Sequence, residues 1–325
     1  MSGTDYPPPP FDAESIAELA KLGPSVTPFL TPEMIHDSRA AQVVATDAEI
    51  RRDGRIRFEE RTVPGPSDSP PISLLICRPA SASRLTPAIY MTHGGGMVSG
   101  NNRSDIEEAL DWVEELHVTL ISVEYRLAPE TPHPGPIEDC YAGLTWVSSH
   151  HEELMIDPDR IVVAGFSAGG GLAAALSLLA RDRGGPVISG QLLLCPMLDD
   201  RNDTLSSHQM AGRGIWDRVA NDTGWTALLG NERGSDTVSP YAAPARATDL
   251  SRLPPAFIDV GSAETFRDED IDYASRIWAA GGEAELHVWP GGFHGYYVFA
   301  PKARISVETR EARIRWLRRH FGGAA

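Results

Sequence analysis

Ser167 stands in Gly165-Phe166-Ser167-Ala168-Gly169, a G-x-S-x-G pentapeptide set between the apolar run IVVAGF and the small-residue stretch AGGGLAAALSLLA. A strand that turns abruptly into a helix at this serine would hold Oγ at the tip of a tight turn, as a nucleophile needs. The following helix N-terminus would aim amide groups at developing negative charge. Glycines suit positions 165 and 169 because the turn brings strand and helix backbones together, leaving no room for side chains. Taken alone, the pentapeptide also fits a packed connection whose serine merely caps the helix.

A serine hydroxyl needs a base, and a histidine base benefits from a carboxylate that fixes its tautomer. Of ten histidines, His294 is best placed, in WPGGFHGYY directly after the last predicted strand. The acid should leave the end of the preceding strand, where PPAFIDVGSAETFRDED offers Asp259, Glu264, Asp268, Glu269 and Asp270. Asp259 lies inside that strand. Glu264 falls in the loop beyond it, and Asp268 caps or begins the next helix; position along the chain does not choose between the last two. Acyl transfer also needs oxyanion donors, and THGGGM at 92–97 follows an apolar strand with three glycines able to present backbone N–H groups. His93 is read as orienting that loop.

These residues require a scaffold. Residues 57–64, 70–79, 86–92, 117–126, 161–166, 188–195, 254–261 and 283–289 read as eight strands, the later ones alternating with helices at 104–115, 137–149, 168–180, 268–280 and 307–320. That pattern specifies an α/β fold with a mostly parallel sheet covered on both faces. Before the sheet, residues 1–10 read as a disordered tail. A short helix over 13–22, capped by Asp12 or Ser15 and ended by Gly23 and Pro24, follows it, and a second runs from Thr31 to about Val44. Residues 199–248 hold two short helices and no strand, an excursion expected over the C-terminal edge of the sheet.

Composition bounds the rest. The 325 residues are 42% hydrophobic, and 29 Lys plus Arg against 45 Asp plus Glu give a formal charge of -16. Such an acidic chain argues against nucleic acid or an anionic membrane as partner. MSGTDYPPPPFDAES lacks the basic and apolar regions of a signal peptide, so a cytoplasmic protein without stable membrane association is expected. Cys77, Cys140 and Cys195 are too widely spaced for a metal or redox motif and read as buried free thiols. No His/Cys/Asp cluster has metal spacing, and the glycine loop lacks the GK[ST] of a nucleotide P-loop.

HGGG at 93–96, YRLAPE at 125–130, EDCYAGLTWV at 138–147, DPDRIVVAGFSAGGGLA at 157–173 and FHG at 293–295 together resemble the bacterial hormone-sensitive-lipase-like esterases. The order serine, acid, histidine is also that of the α/β-hydrolase triad. The resemblance implies an α/β-hydrolase domain over 51–325, with a helical cap built from residues 1–50 and the insertion at about 199–248. It implies cofactor-free hydrolysis of small-molecule carboxylic esters, and it allows a homodimer. Carried onto this chain, it makes Ser167 the nucleophile and His294 the base, with Gly94, Gly95 and Ala168 as oxyanion amides. Most members have aspartate where this chain has Glu264, so Glu264 is the expected acid and Asp268 its understudy. Met97 departs as well, standing where an aromatic often follows HGGG, which would soften the acyl pocket.

Short-to-medium acyl esters are the expected substrates. A lactonase, amidase or deacetylase would use the same triad. A ligand receptor on this scaffold would keep the glycine loop, but intact Ser167 and His294 count against it. Charge pairing is expected of Glu124, Arg126, Glu138 and Asp139. Trp216, Trp225 and Met210 are candidates either for lining an acyl pocket or for packing the insertion.

Overall fold

Strands rich in Val, Ile and Leu align into one eight-stranded sheet in the computed structural model, which describes residues 7–23 and 26–322. The strands are β1 (Ile56–Val63), β2 (Ile72–Pro79), β3 (Thr86–Thr92), β4 (Thr119–Glu124), β5 (Ile156–Phe166), β6 (Gly190–Leu194), β7 (Ala256–Gly261) and β8 (Ala284–Trp289). Their spatial order is β1-β2-β4-β3-β5-β6-β7-β8; β2 runs antiparallel to both its neighbours, and all pairs from β4 to β8 are parallel. Parallel strands need crossovers, and helices supply them on both faces. The eight-stranded α/β expectation holds.

Eleven α-helices are described: α1 (Ala13–Lys21), α2 (Ile35–Ala40), α3 (Asp47–Arg51), α4 (Glu107–Leu116), α5 (Gly135–Ser149), α6 (Ala168–Arg183), α7 (Leu205–Gln209), α8 (Arg218–Leu229), α9 (Arg267–Ala279), α10 (Tyr296–Phe299) and α11 (Arg304–His320). Successive strand residues face opposite ways. Accordingly Leu74, Ile76 and Tyr90 join a core with α5, α6 and α9, while Leu75, Cys77 and Ile89 join a second core with α4 and α11. The three cysteines are free and buried, as expected; burial pushes the Cys77 thiol up to about 12.

The N-terminal segment differs from expectation in detail. Asp12 caps α1 by accepting Ser15 N–H at 2.8 Å. The second helix begins as a 3-10 turn at Pro32–Met34, makes no side-chain cap bond from Thr31, and stops at Ala40 rather than Val44. Its early end leaves room for α3, which the strand-and-helix reading missed although Thr46 and Glu49 form a capping box that was legible in TDAE. Residues 1–6 of the expected tail, and Pro24, lie outside the described residues. The 199–248 insertion forms α7 and α8, the two helices expected there. It meets the N-terminal segment directly: Asp217 N–H donates to Pro28 O at 2.8 Å and Thr223 Oγ1 to Leu30 O at 2.7 Å.

One buried ionic network braces the sheet beneath the site. Arg313 on α11 has no exposure; it pairs with Asp259 on β7 through Nε and Nη2 at 2.7 and 3.0 Å, with Glu108 on α4 at 2.7 Å, and lies 3.8 Å over the Tyr297 ring. Removing one member of such a network strands the other charges in a low-dielectric interior. Arg313→Met is therefore expected to lower unfolding free energy by about 3–5 kcal/mol, read as a reduced urea midpoint with unchanged slope.

Candidate active site

The parallel registers bring five strand ends to one edge. Thr92 pairs with Gly165, Phe166 with Leu194, Leu194 with Asp259, and Gly261 with Trp289. The glycine loop, the serine turn, the acid loop and the histidine loop therefore all leave the sheet on the same side. Ser167 links β5 to α6 at φ 58°, ψ -120°, a conformation costly for a non-glycine residue and held here by its surroundings. Its N–H donates to Leu194 O at 2.8 Å, and its carbonyl accepts from Met197 N at 2.9 Å. A Cβ on Gly165 would lie 2.2 Å from Gly169 O, and one on Gly169 would lie 2.0 Å from Thr92 O. Both glycines are steric requirements of the turn.

Ser167, His294 and Glu264 meet in a continuous chain. The Ser167 hydroxyl lies 2.9 Å from His294 Nε2, and His294 Nδ1 lies 3.0 Å from Glu264 Oε1. A carboxylate can only accept, so Nδ1 carries the proton and Nε2 presents its lone pair to the serine. Glu264 Oε2 accepts Gly261 N–H at 3.1 Å, which anchors the longer side chain to the end of β7. Ser167, Glu264 and His294 are 3%, 2% and 6% exposed, so these contacts operate away from bulk water. Phe166 stacks on the imidazole at 5.3 Å and Phe266 meets its edge at 5.1 Å.

The other acids do different work. Asp268 Oδ2 accepts Ser206 N–H at 2.8 Å and thereby ties α9 to α7; no contact to His294 is among its bonds. Glu269 Oε1 accepts the N–H groups of Leu198 and Asp199 at 2.7 and 3.1 Å, fixing the chain beyond β6. Burial pushes the carboxyls of Glu269 and Asp270 well above their ordinary range. Cys195, Glu264 and His294 place potential metal-ligating atoms within 4.8 Å of one another, a grouping accounted for by the Glu264–His294 bond and an adjacent thiol that burial keeps protonated.

The glycine loop corrects one expectation. Gly94 N–H is already donated to Asp105 Oδ2 at 2.9 Å, so this amide is not a free oxyanion donor. Gly95 and Gly96, at φ 111° and 61°, have N–H groups with no acceptor among the described residues; the same holds for Ala168 N–H at the first turn of α6. A Cβ on Gly95 would meet Ser99 O at 2.1 Å, and one on Gly96 would meet the Trp216 ring at 2.2 Å. His93 donates from Nδ1 to Gly94 O at 2.8 Å and stacks on Tyr125 at 4.1 Å. Burial lowers its imidazole to about 4, so it stays neutral and orients the loop, as expected. Met97 is 1% exposed and packs in the main core.

Charge pairing holds for Arg126, Asp139 and Glu138, whereas Glu124 bonds a backbone amide instead. Arg126 grips Asp139 with Nε and Nη2, both at 2.7 Å; Glu124 accepts Asn102 N–H at 2.7 Å, and Glu138 pairs with Arg183. Trp225 and Met210 are buried packing residues, whereas Trp216 lies over Gly96 with its ring 6.5 Å from the His294 ring. Two residues near the site were not anticipated. Asp105 falls inside the helix expected at 104–115 but stands before α4, and aspartate's tolerance of left-handed backbone was a usable signal. Arg39, on α2, donates to Val98 O at 2.6 Å and Ala128 O at 2.8 Å and pairs with Glu130, contacts 59 to 91 residues away with no local signature.

Comparison with known proteins places this geometry among relatives. The alpha/beta hydrolase fold family matches residues 89–298. Carboxylesterase NlhH of Mycobacterium tuberculosis is 36% identical over 256 residues, covering 78% of this chain and 80% of that protein. The hormone-sensitive lipase of Ictidomys tridecemlineatus is 31% identical over 173 residues, covering 53% of this chain and 22% of that protein. Among solved structures, one titled Bacterial Heroin Esterase superposes with a TM-score of 0.87 at 36% identity, covering 96% of this chain and 98% of that one.

Proposed function

Because this chain belongs to the α/β-hydrolases, within their hormone-sensitive-lipase-like esterases, and is a carboxylic ester hydrolase, we propose that it hydrolyses short-to-medium acyl esters at Ser167, His294 and Glu264. The carrying observation is the hydrogen-bond chain from Ser167 Oγ through His294 to Glu264. His294 Nε2 takes the hydroxyl proton as Oγ attacks the ester carbonyl. The oxyanion is held by the N–H groups of Gly95, Gly96 and Ala168, which have no acceptor among the described residues. Imidazolium returns its proton to the departing alcohol, and water activated by the same histidine releases the acid from the acyl-enzyme. Glu264 holds the imidazole tautomer and stabilises the imidazolium.

Residues up to about 50 and the insertion at 199–248 act together as the cap in this reading, supported by their mutual contacts and by Trp216 over the glycine loop. The buried serine and this cover favour compact acyl groups over long chains. Hydrolysis across p-nitrophenyl esters from acetate to dodecanoate is expected to peak at short or medium chains. A folded protein with no turnover on any of them would redirect the assignment to lactones or amides, which the same triad can attack. No described helix is long and apolar enough to cross a membrane. The proposed setting is the cytoplasm, in keeping with three free thiols; a homodimer, which the resemblance allows, is tested by light scattering.

A further inference from the structure

We propose that Asp105 is a positioning residue for the oxyanion loop: its carboxylate holds the Gly94 N–H away from the site and so fixes the conformations of Gly95 and Gly96. This deepens the esterase reading and rests on it. Five carbonyls of the loop have defined partners. His93 O accepts from Tyr125 Oη at 2.8 Å, and Gly94 O accepts from His93 Nδ1 at 2.8 Å. Gly95 O accepts from Val98 N and Ser99 N, Met97 O from Ala128 N, and Val98 O from Arg39 Nε. These carbonyls are thus held from several sides, whereas Asp105 is the one acceptor of the Gly94 N–H among the described residues.

Asp105 is built for that contact. It adopts φ 60°, a left-handed conformation that a non-glycine residue keeps only where its surroundings enforce it. The next residue, Ile106, is fully buried and caps α4, so the carboxylate projects from a fixed point. A Cβ on Gly94 would sit 3.0 Å from Asp105 Oδ2 and 2.8 Å from the Phe166 ring, so the glycine lets the carboxylate approach. Phe166 in turn stacks on His294. Without the carboxylate, the Gly94 N–H would need another acceptor, and turning the 93–94 peptide to reach one would disturb the two glycines that follow. The loss would fall on the transition state, where negative charge develops, rather than on ester binding.

Asp105→Gly removes the carboxylate while tolerating the backbone, whereas Asp105→Asn keeps an oxygen that can accept from Gly94. Both are assayed at about pH 8 beside Ser167→Ala, and a trifluoromethyl ketone is used as inhibitor. Ser167 Oγ adds to the ketone's carbonyl carbon, the ketone oxygen becomes the oxyanion, and the hydroxyl proton passes to His294. Asp105→Gly is expected to lower kcat about 10- to 100-fold with KM within about threefold, and to weaken the ketone by a similar factor. Asp105→Asn should restore kcat to within about fivefold of the parent. Should the glycine variant not fold, Asp105→Ser, whose hydroxyl is too short to reach the amide, supplies the same comparison. Unchanged kcat and ketone affinity would overturn the proposal, as would equal losses in kcat and KM that asparagine does not repair. If Ser167→Ala itself keeps turnover, the esterase reading at this site fails; if it is inactive while Asp105→Gly is fully active, only the role of Asp105 fails.

Discussion

Replacing Ser167 by alanine is expected to reduce kcat by about 10⁴- to 10⁶-fold while leaving the melting temperature nearly unchanged. The change deletes the one hydroxyl that His294 Nε2 faces at 2.9 Å. The backbone bonds that hold the turn, from Ser167 N to Leu194 O and from Met197 N to Ser167 O, remain available. Residual turnover would come from the oxyanion amides and binding alone. Because the three side chains act as a unit, Ser167→Ala combined with His294→Ala should cost little more than either alone. An organophosphonate should label the parent at Ser167 and leave the alanine variant unlabelled. Turnover of Ser167→Ala close to the parent's would rule out this nucleophile.

The second large effect separates two acids. Glu264→Gln is expected to lower kcat by about 10³- to 10⁴-fold. Its amide can present N–H₂ to His294 Nδ1, favouring the tautomer whose Nε2 is protonated and unable to accept from Ser167. Asp268→Asn should leave kcat within about threefold, because Asp268 bonds Ser206 N–H rather than the histidine. Its cost should appear instead as a lower thermal midpoint, from the weakened tie between α9 and α7. A strong kinetic loss confined to Asp268→Asn would reverse the assignment. Glutamate serves at this position because its second oxygen is fastened to Gly261 N–H, so the extra methylene is taken up in the loop without loss of the contact to His294.

Much of the fold was legible because its determinants are local. Apolar runs marked all eight strands to within a few residues, and Asp12 marked the start of α1. The start at Thr31 was placed correctly, but the expected helix ran too far because nothing in AQVV announces its end at Ala40. The α3 helix was missed although TDAE carried its capping box, since five residues leave too short a period to stand out. The serine turn was the clearest feature of all. Gly165 is demanded by a contact within the turn itself, against Gly169 O, whereas Gly169 also answers to Thr92 O at the end of β3.

What the chain's own order determined was therefore the α/β alternation, the serine at the strand-to-helix joint, and the histidine after the last strand. Each rests on periodicity, backbone sterics or position within a short window. Tertiary structure decided that Glu264 rather than Asp268 reaches His294, that Gly94 is spent on Asp105, and that Arg39 and Arg313 tie distant segments to the site and sheet. Those choices turn on hydrogen-bond distances near 3 Å between groups brought together from separate loops and helices. Glu264 lies in the loop after β7 and Asp268 four residues on in the first turn of α9, and no pattern in the sequence resolves which of the two carboxylates meets the histidine.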